Sequence, residues 1–198
     1  MQYNIIMNYI LSTSNNSYGI VDYDHNSSPD YTIFNMGIEI SELEQPLIFN
    51  VKDKSKLRKF HILSSTGPEL VSKELRKVIE EHFYDDIEFF QAELISGNDI
   101  ILDYSAINVK TLNNCFDLEK SDYKLTNFDP SNPTYRFYTQ VVKDEKLGAN
   151  IVRSSEQLTN IIVNEDVIEK CKEAKISGLC FYKILDITPN DLSEFECI

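Results

Sequence analysis

A polar residue, a short amphipathic run and an aromatic strand occur twice in this chain in the same register, and that recurrence limits the folds open to it. In the first copy Leu75, Val78, Ile79 and Phe83 follow the i, i+3, i+4, i+8 spacing of a helix with one apolar stripe. Ser72 stands where an N-cap accepts a hydrogen bond from a first-turn amide, and Glu74 suits the positive end of the helix dipole. Asp85-Asp86 ends the run, and Ile87-Glu88-Phe89-Phe90-Gln91 resumes as a strand. In the second copy Asn164 takes the cap and Asp166 the first turn, while Val167, Ile168, Cys171 and Ala174 make the stripe. Gly178 then separates helix from a strand, Leu179-Cys180-Phe181-Tyr182-Lys183. Each position lies 92 residues after its counterpart without a gap: Ser72 with Asn164, Leu75 with Val167, Phe89 with Phe181, Phe90 with Tyr182.

The remaining chain reads mostly as strands divided by turns. Asn4 to Leu11 and Tyr18 to Tyr23 are β-rich runs around the turn-forming cluster Ser12 to Ser17, and Asp24 to Asp30 is a second loop. Tyr31 to Phe34 and Pro46 to Val51 are further strand candidates, with Lys52 to Lys59 a charged connection into Phe60-His61-Ile62-Leu63. Ile100 to Tyr104 and Tyr135 to Val142 are the stronger strands of the middle, with Asp129 to Pro133 a turn cluster between them. The expected fold is α+β, a single domain over residues 1–198 with mixed or antiparallel sheets and two short helices. Its parts are a β-rich N-terminal region (1–60), a first α/β unit (61–95), a β-rich middle (99–143) and a second α/β unit (147–185).

Charge narrows the partners. With 19 basic and 32 acidic residues the chain carries −13, and its pI is near 4.6. Such a surface repels nucleic-acid phosphates and anionic membranes, and steers toward basic proteins. Solubility alone is the blander explanation of the same charge. The opening Met1 to Asn8 has no basic stretch followed by an apolar one, so no signal peptide is expected, and no run approaches a membrane span. The four cysteines, Cys115, Cys171, Cys180 and Cys197, form no C-x-x-C pair and lie far from His25, His61 and His82. No zinc site is expected from that spacing; free thiols in a reducing cytoplasm are.

Catalytic signatures are missing. Glu80-Glu81-His82 lacks the H-E-x-x-H arrangement, and adjacent carboxylates on a helix point in different directions. Asp85-Asp86 and Asp22 with Asp24 do not meet the calcium-loop spacing. No nucleophile elbow, phosphate-binding loop or dinucleotide fingerprint occurs among the six isolated glycines. Ser64-Ser65-Thr66-Gly67-Pro68 reads as an ordinary strand-to-helix connection rather than an anion cradle. No catalytic residue, metal ligand or cofactor is therefore expected, and a chain rich in acids without an assembled site looks like a binder.

Three stretches carry a family likeness: Leu70 to Leu75 running on through Ile87-Glu88-Phe89-Phe90; Tyr104 to Val109 continuing to Cys115 through Tyr123; and Leu147-Gly148 through Ile162-Val163-Asn164 to Ser177 through Phe181. Together they resemble immunity protein family eleven of bacterial polymorphic toxin systems, formerly a domain of unknown function. The likeness covers roughly residues 60 to 185, with a weaker opening at Tyr9-Ile10-Leu11. What it implies is a non-enzymatic inhibitor whose partner is a cognate toxin; the acidic charge adds the expectation of a basic toxin surface, and the missing signal peptide that of a cytoplasmic location. It supplies no binding residues, because the shared positions look structural. Candidate partner-binding groups, taken from acids in expected loops, are Asp22, Asp24, Asp85, Asp86, Asp117, Glu119 and Asp122. An enzyme that reverses or hydrolyses toxin products, or an adaptor unrelated to toxins, are the competing readings. The oligomeric state is open.

Overall fold

The computed structural model describes residues 7–13, 20–43, 45–127, 129, 133–187 and 193–198. In chain order come β1 (Asn8–Thr13), β2 (Val21–Tyr23), β3 (Leu47–Val51), β4 (Ile62–Leu63) and β5 (Leu70–Ser72), which runs directly into α1 (Lys73–His82). Next are β6 (Ile87–Ser96), β7 (Asp99–Ile101), β8 (Tyr104–Val109), β9 (Leu112–Asn113), β10 (Asp122–Leu125), β11 (Tyr135–Val141), β12 (Ile151–Ser154) and β13 (Ile161–Asn164). The chain closes with α2 (Glu165–Glu173), β14 (Leu179–Asp186) and β15 (Glu194–Cys197). The strands form two sheets, ordered β10-β11-β14-β1-β13-β12-β9 with β15 on β14, and β2-β3-β6-β8-β5-β4 with β7 on β6. Pairing is antiparallel except between β3 and β6 and between β12 and β9. No helix among the described residues is long and apolar enough to cross a membrane.

Both helices begin as their sequences dictate. Ser72 Oγ accepts the Leu75 amide and Asn164 Oδ1 the Val167 amide, each at 3.3 Å. Those caps satisfy first-turn donors that the helix itself leaves without partners. Leu75, Val78 and Ile79 are buried on α1, and Val167, Ile168 and Cys171 on α2.

The repeat extends further than the sequence reading. In the first unit β8 lies between β5 and β6, with Leu70 opposite Ala106 and Ala106 opposite Phe90. In the second, β1 lies between β13 and β14, with Ile162 opposite Ile10 and Ile10 opposite Tyr182. The flanking strands and helices keep the 92-residue offset, yet the central strand of the second unit comes from the N-terminus. The second unit thus repeats the arrangement of the first in permuted chain order, with β1 as its central strand. The two share one apolar core: Leu75, Ile79 and Ile107 pack with Val167, Cys171, Ile151 and Phe181. Each fully buried side chain of this size contributes about 1.5–3 kcal/mol. Separate clusters fill the far ends, one around Phe34, Phe49 and Leu94, the other around Phe116, Phe137 and Val152.

Several expectations need correction. Tyr31 to Phe34 is not a strand: Asp30 Oδ1 accepts the Thr32 amide at 3.0 Å and starts a 3-10 helix, Tyr31–Asn35, that buries Phe34. A short acid beside the backbone offers a local bond that outcompetes a sheet ladder. The connection Lys52 to Lys59 contains a 3-10 helix, Lys54–Lys59, capped by Asp53 in the same way. Ile100 to Tyr104 is two strands, because β7 ends at Ile101 and β8 begins at Tyr104. The strand aromatics at matching positions differ in burial: Phe181 is wholly buried, whereas Phe89 is only half-buried, with the Arg76 guanidinium 4.9 Å over its ring. Of the thiols expected to be free, Cys115 and Cys171 are free and buried, but Cys180 and Cys197 are joined in a disulfide. β15 returns antiparallel along β14 and sets them directly opposite one another, which their spacing of 17 residues could not reveal. Asn4 to Ile6, Ser14 to Gly19 and Pro130 to Asn132 lie outside the described residues.

Candidate functional site

Three short connections converge at one end of the first sheet. The first, after β9, is a turn built on Asp117, whose Oδ1 accepts the Glu119 amide at 3.2 Å and the Lys120 amide at 3.3 Å. The second follows β11 and carries Lys143, Asp144 and Glu145; an isolated bridge between Phe116 and Val142 holds it against the first. The third follows β12, where Glu156 accepts the amides of Cys115 at 3.0 Å and Phe116 at 3.2 Å. Glu156 therefore ties two of the connections together, and Ser154 Oγ donates to it at 2.8 Å.

Between them opens a cleft of about 770 Å³. Its lining holds five carboxylates, Asp117, Glu119, Asp144, Glu145 and Glu156, against two lysines, Lys120 and Lys143. Phe116, Leu118, Pro133 and Tyr135 form the apolar wall. Tyr135 stacks on Phe137 at 5.7 Å and meets Tyr123 edge-on at 5.3 Å, so this wall is backed by packed rings. The Lys120 ammonium lies 2.8 Å from Asp117, and that contact, with the turn amides, holds the Asp117 carboxyl below its usual range. Asp144 pairs with Lys183, and Glu145 lies 3.4 Å from Lys143 while keeping 62% of its side-chain exposure. Burial, reinforced by Glu156, pushes the Cys115 thiol up to about 12, so this neighbouring group is no nucleophile at neutral pH.

The seven candidate acids do not form one surface. Asp117 and Glu119 line the cleft, and Asp122 is exposed close by, opening edge strand β10. Asp22 pairs with Lys52 at 2.9 Å on β2, in the other sheet. Asp24 accepts the amides of Asn26 and Ser27 and so caps its own loop. Asp85 is exposed beyond α1, whereas Asp86 is 7% exposed. Its Oδ2 accepts the amides of Asn150 at 3.0 Å and Ile151 at 3.2 Å, joining the first unit to the second. Asp144, Glu145 and Glu156 escaped the sequence reading. They sit among lysines and serines in stretches that read as ordinary solvated loops, and only the fold brings them to Asp117.

The cleft is lined by carboxylates, lysines and aromatic rings. Its lining contains no histidine, and the three histidines of the chain stand elsewhere: His25 against Tyr23 and Tyr31, His61 on Ser72, and His82 closing α1. Among the described residues no three His, Cys, Asp or Glu side chains are grouped to hold a metal ion. What the arrangement does support is reception of cationic side chains, with acids around the rim and an aromatic wall for their aliphatic stems.

A family model described as Immunity protein family (Imm11) matches residues 6–186. The chain belongs to the Imm11 immunity protein family. Among curated proteins no significant match to it is found. The Imm11 match takes in both units, including β1 and β14, and ends before β15. Membership gives the chain an immunity role. All three connections that build the cleft fall within the Imm11 portion.

Proposed function

We propose that this Imm11 protein neutralises a cognate toxin by stoichiometric binding, with the acidic cleft as the contact face. The observation that carries the reading is the cleft itself, where five carboxylates converge beside an aromatic wall on a chain of net charge −13. A basic toxin, such as a nuclease whose substrate groove attracts anions, would be steered toward it and would place Lys or Arg among these acids. No turnover is required of the inhibitor. The toxin acts in the cytoplasm in this reading, and the inhibitor meets it there.

The test is co-expression with the toxin encoded beside the gene, followed by calorimetry on the purified pair. A one-to-one complex is expected. Reversing Asp117→Lys and Glu119→Lys together should weaken it by about 2 kcal/mol or more, the scale of an interface hot spot. Binding of the reversed variant at wild-type affinity would remove the cleft from the interface.

A further inference from the structure

The two units differ at one sheet edge. In the second unit β15 lies antiparallel on β14, with Cys180 opposite Cys197, Phe181 opposite Glu196 and Tyr182 opposite Phe195. The Ile198 amide donates to Leu179 O at 3.0 Å, so the odd-numbered backbone groups here face β15, while β1 holds the other edge. The 92-residue offset carries this stretch onto Ile87 to Gln91 of β6. There β8 holds one edge, and Lys110 donates its amide to Asp86 O at 3.0 Å. By alternation the amide and carbonyl of Phe89 face away from β8. β3 joins that outer edge only from Ala92 onward. Among the described residues no strand pairs with it between Ile87 and Gln91.

An edge of this kind is a template for a strand from another chain. It borders a cleft of about 720 Å³ lined in part by Arg76, Glu80, Phe89 and Gln91. Charge identifies the strand that fits. In the second unit α2 presents Lys172 to Glu196 of β15 at 2.5 Å. Glu80 occupies the equivalent place on α1, so the sign is inverted. A second copy's Glu196 would meet a carboxylate there. Arg76 is already committed, to Glu80 Oε1 at 2.7 Å, to Ser105 Oγ at 2.8 Å and to the face of Phe89. Glu80 uses only its Oε1 in that pair.

We propose that the outer edge of β6, from Ile87 to Gln91, is a second contact beside the acidic cleft and receives an antiparallel strand of the toxin carrying Lys or Arg opposite Phe89. The toxin's identity as the partner rests on the immunity reading above; the open edge does not. Main-chain bonds supply the docking, and the Glu80 carboxylate selects the cation.

Amide exchange followed residue by residue tests this. In the free protein Phe181 should exchange slowly and Phe89 fast; equal protection of the two would mean the edge is already filled and would overturn the proposal. In the toxin complex Phe89 should slow by about tenfold or more, as expected for an amide moved from open edge to paired ladder. Glu80→Lys should weaken that complex, and an unchanged Phe89 rate in a well-formed complex would also overturn the proposal. If the toxin does not bind at all, the immunity reading fails, and a peptide decides the edge. The probe is Ser193 to Ile198 with Glu196→Lys and Cys197→Ser. Slowing of Phe89 by this peptide, but not by its Glu196 parent, keeps the edge site; no effect of either rejects it.

Discussion

Arg153 and Glu69, 84 residues apart, form a two-pronged ion pair between the units, with Nη2 and Oε2 2.8 Å apart and the guanidinium wholly buried. Arg153 Nη1 also donates to Leu158 O, while its Nε has no partner in the interior. A buried charge of this kind depends on its counter-ion. Glu69→Ala should therefore cost about 3–5 kcal/mol in urea unfolding. Replacing both residues by Met should recover most of the loss, because no charge is then left in the interior. A single variant within about 1 kcal/mol of wild type would show that water or another group satisfies Arg153. We also propose that both units unfold in one transition, since the pair and the shared core bridge them; two resolved transitions would make them separate domains.

The equivalent aromatics Phe181 and Phe89 should respond unequally to truncation. Phe181 is fully enclosed in the shared core, so Phe181→Ala should cost about 3–5 kcal/mol. Phe89 is half-buried beneath Arg76 and should cost clearly less. Equal losses in thermal unfolding would contradict this difference in burial.

This asymmetry also marks where the sequence stopped being legible. Caps, apolar stripes and following strands are local patterns, and Ser72, Asn164, Leu75 and Val167 could be placed from spacing alone. Nothing local shows that β1 completes the unit built by β13 and β14, because that pairing joins Tyr9 to Val163 across most of the chain. Asp117 and Glu119 were visible as loop acids, but their neighbours Asp144 and Glu156 arrive from other connections. Asp86 looked like another loop acid and is in fact held inside by backbone amides of the second unit. An acid's exposure depends on which distant donors reach it, and periodicity carries no record of that.

The disulfide gives a chemical prediction. Burial pushes the Cys171 thiol up to about 11 and the Cys115 thiol up to about 12, so neither should alkylate in the native protein near neutral pH. After reduction Cys197, on exposed β15, should label first. Cys197→Ser should lower stability by about 3 kcal/mol, the effect of opening a loop of this length. Cysteines in a reducing cytoplasm are kept as thiols. Thiol trapping in intact cells should therefore find Cys180 and Cys197 reduced if the proposed compartment is right. A fully oxidised pair in cells would place the protein elsewhere.

The most direct measurement of the central claim is a titration of toxin activity with inhibitor, paired with stopped-flow association across a salt series. Stoichiometric blocking by the acidic cleft predicts complete inhibition at equimolar protein. Association should slow as salt rises, because surface charges are screened beyond about 10 Å at 0.1 M, while dissociation changes little. Combining Asp117→Lys with Glu119→Lys should flatten that salt dependence. Protection at far below equimolar inhibitor, or an association rate indifferent to salt, would contradict blocking by this face and favour an enzyme acting on the toxin's products.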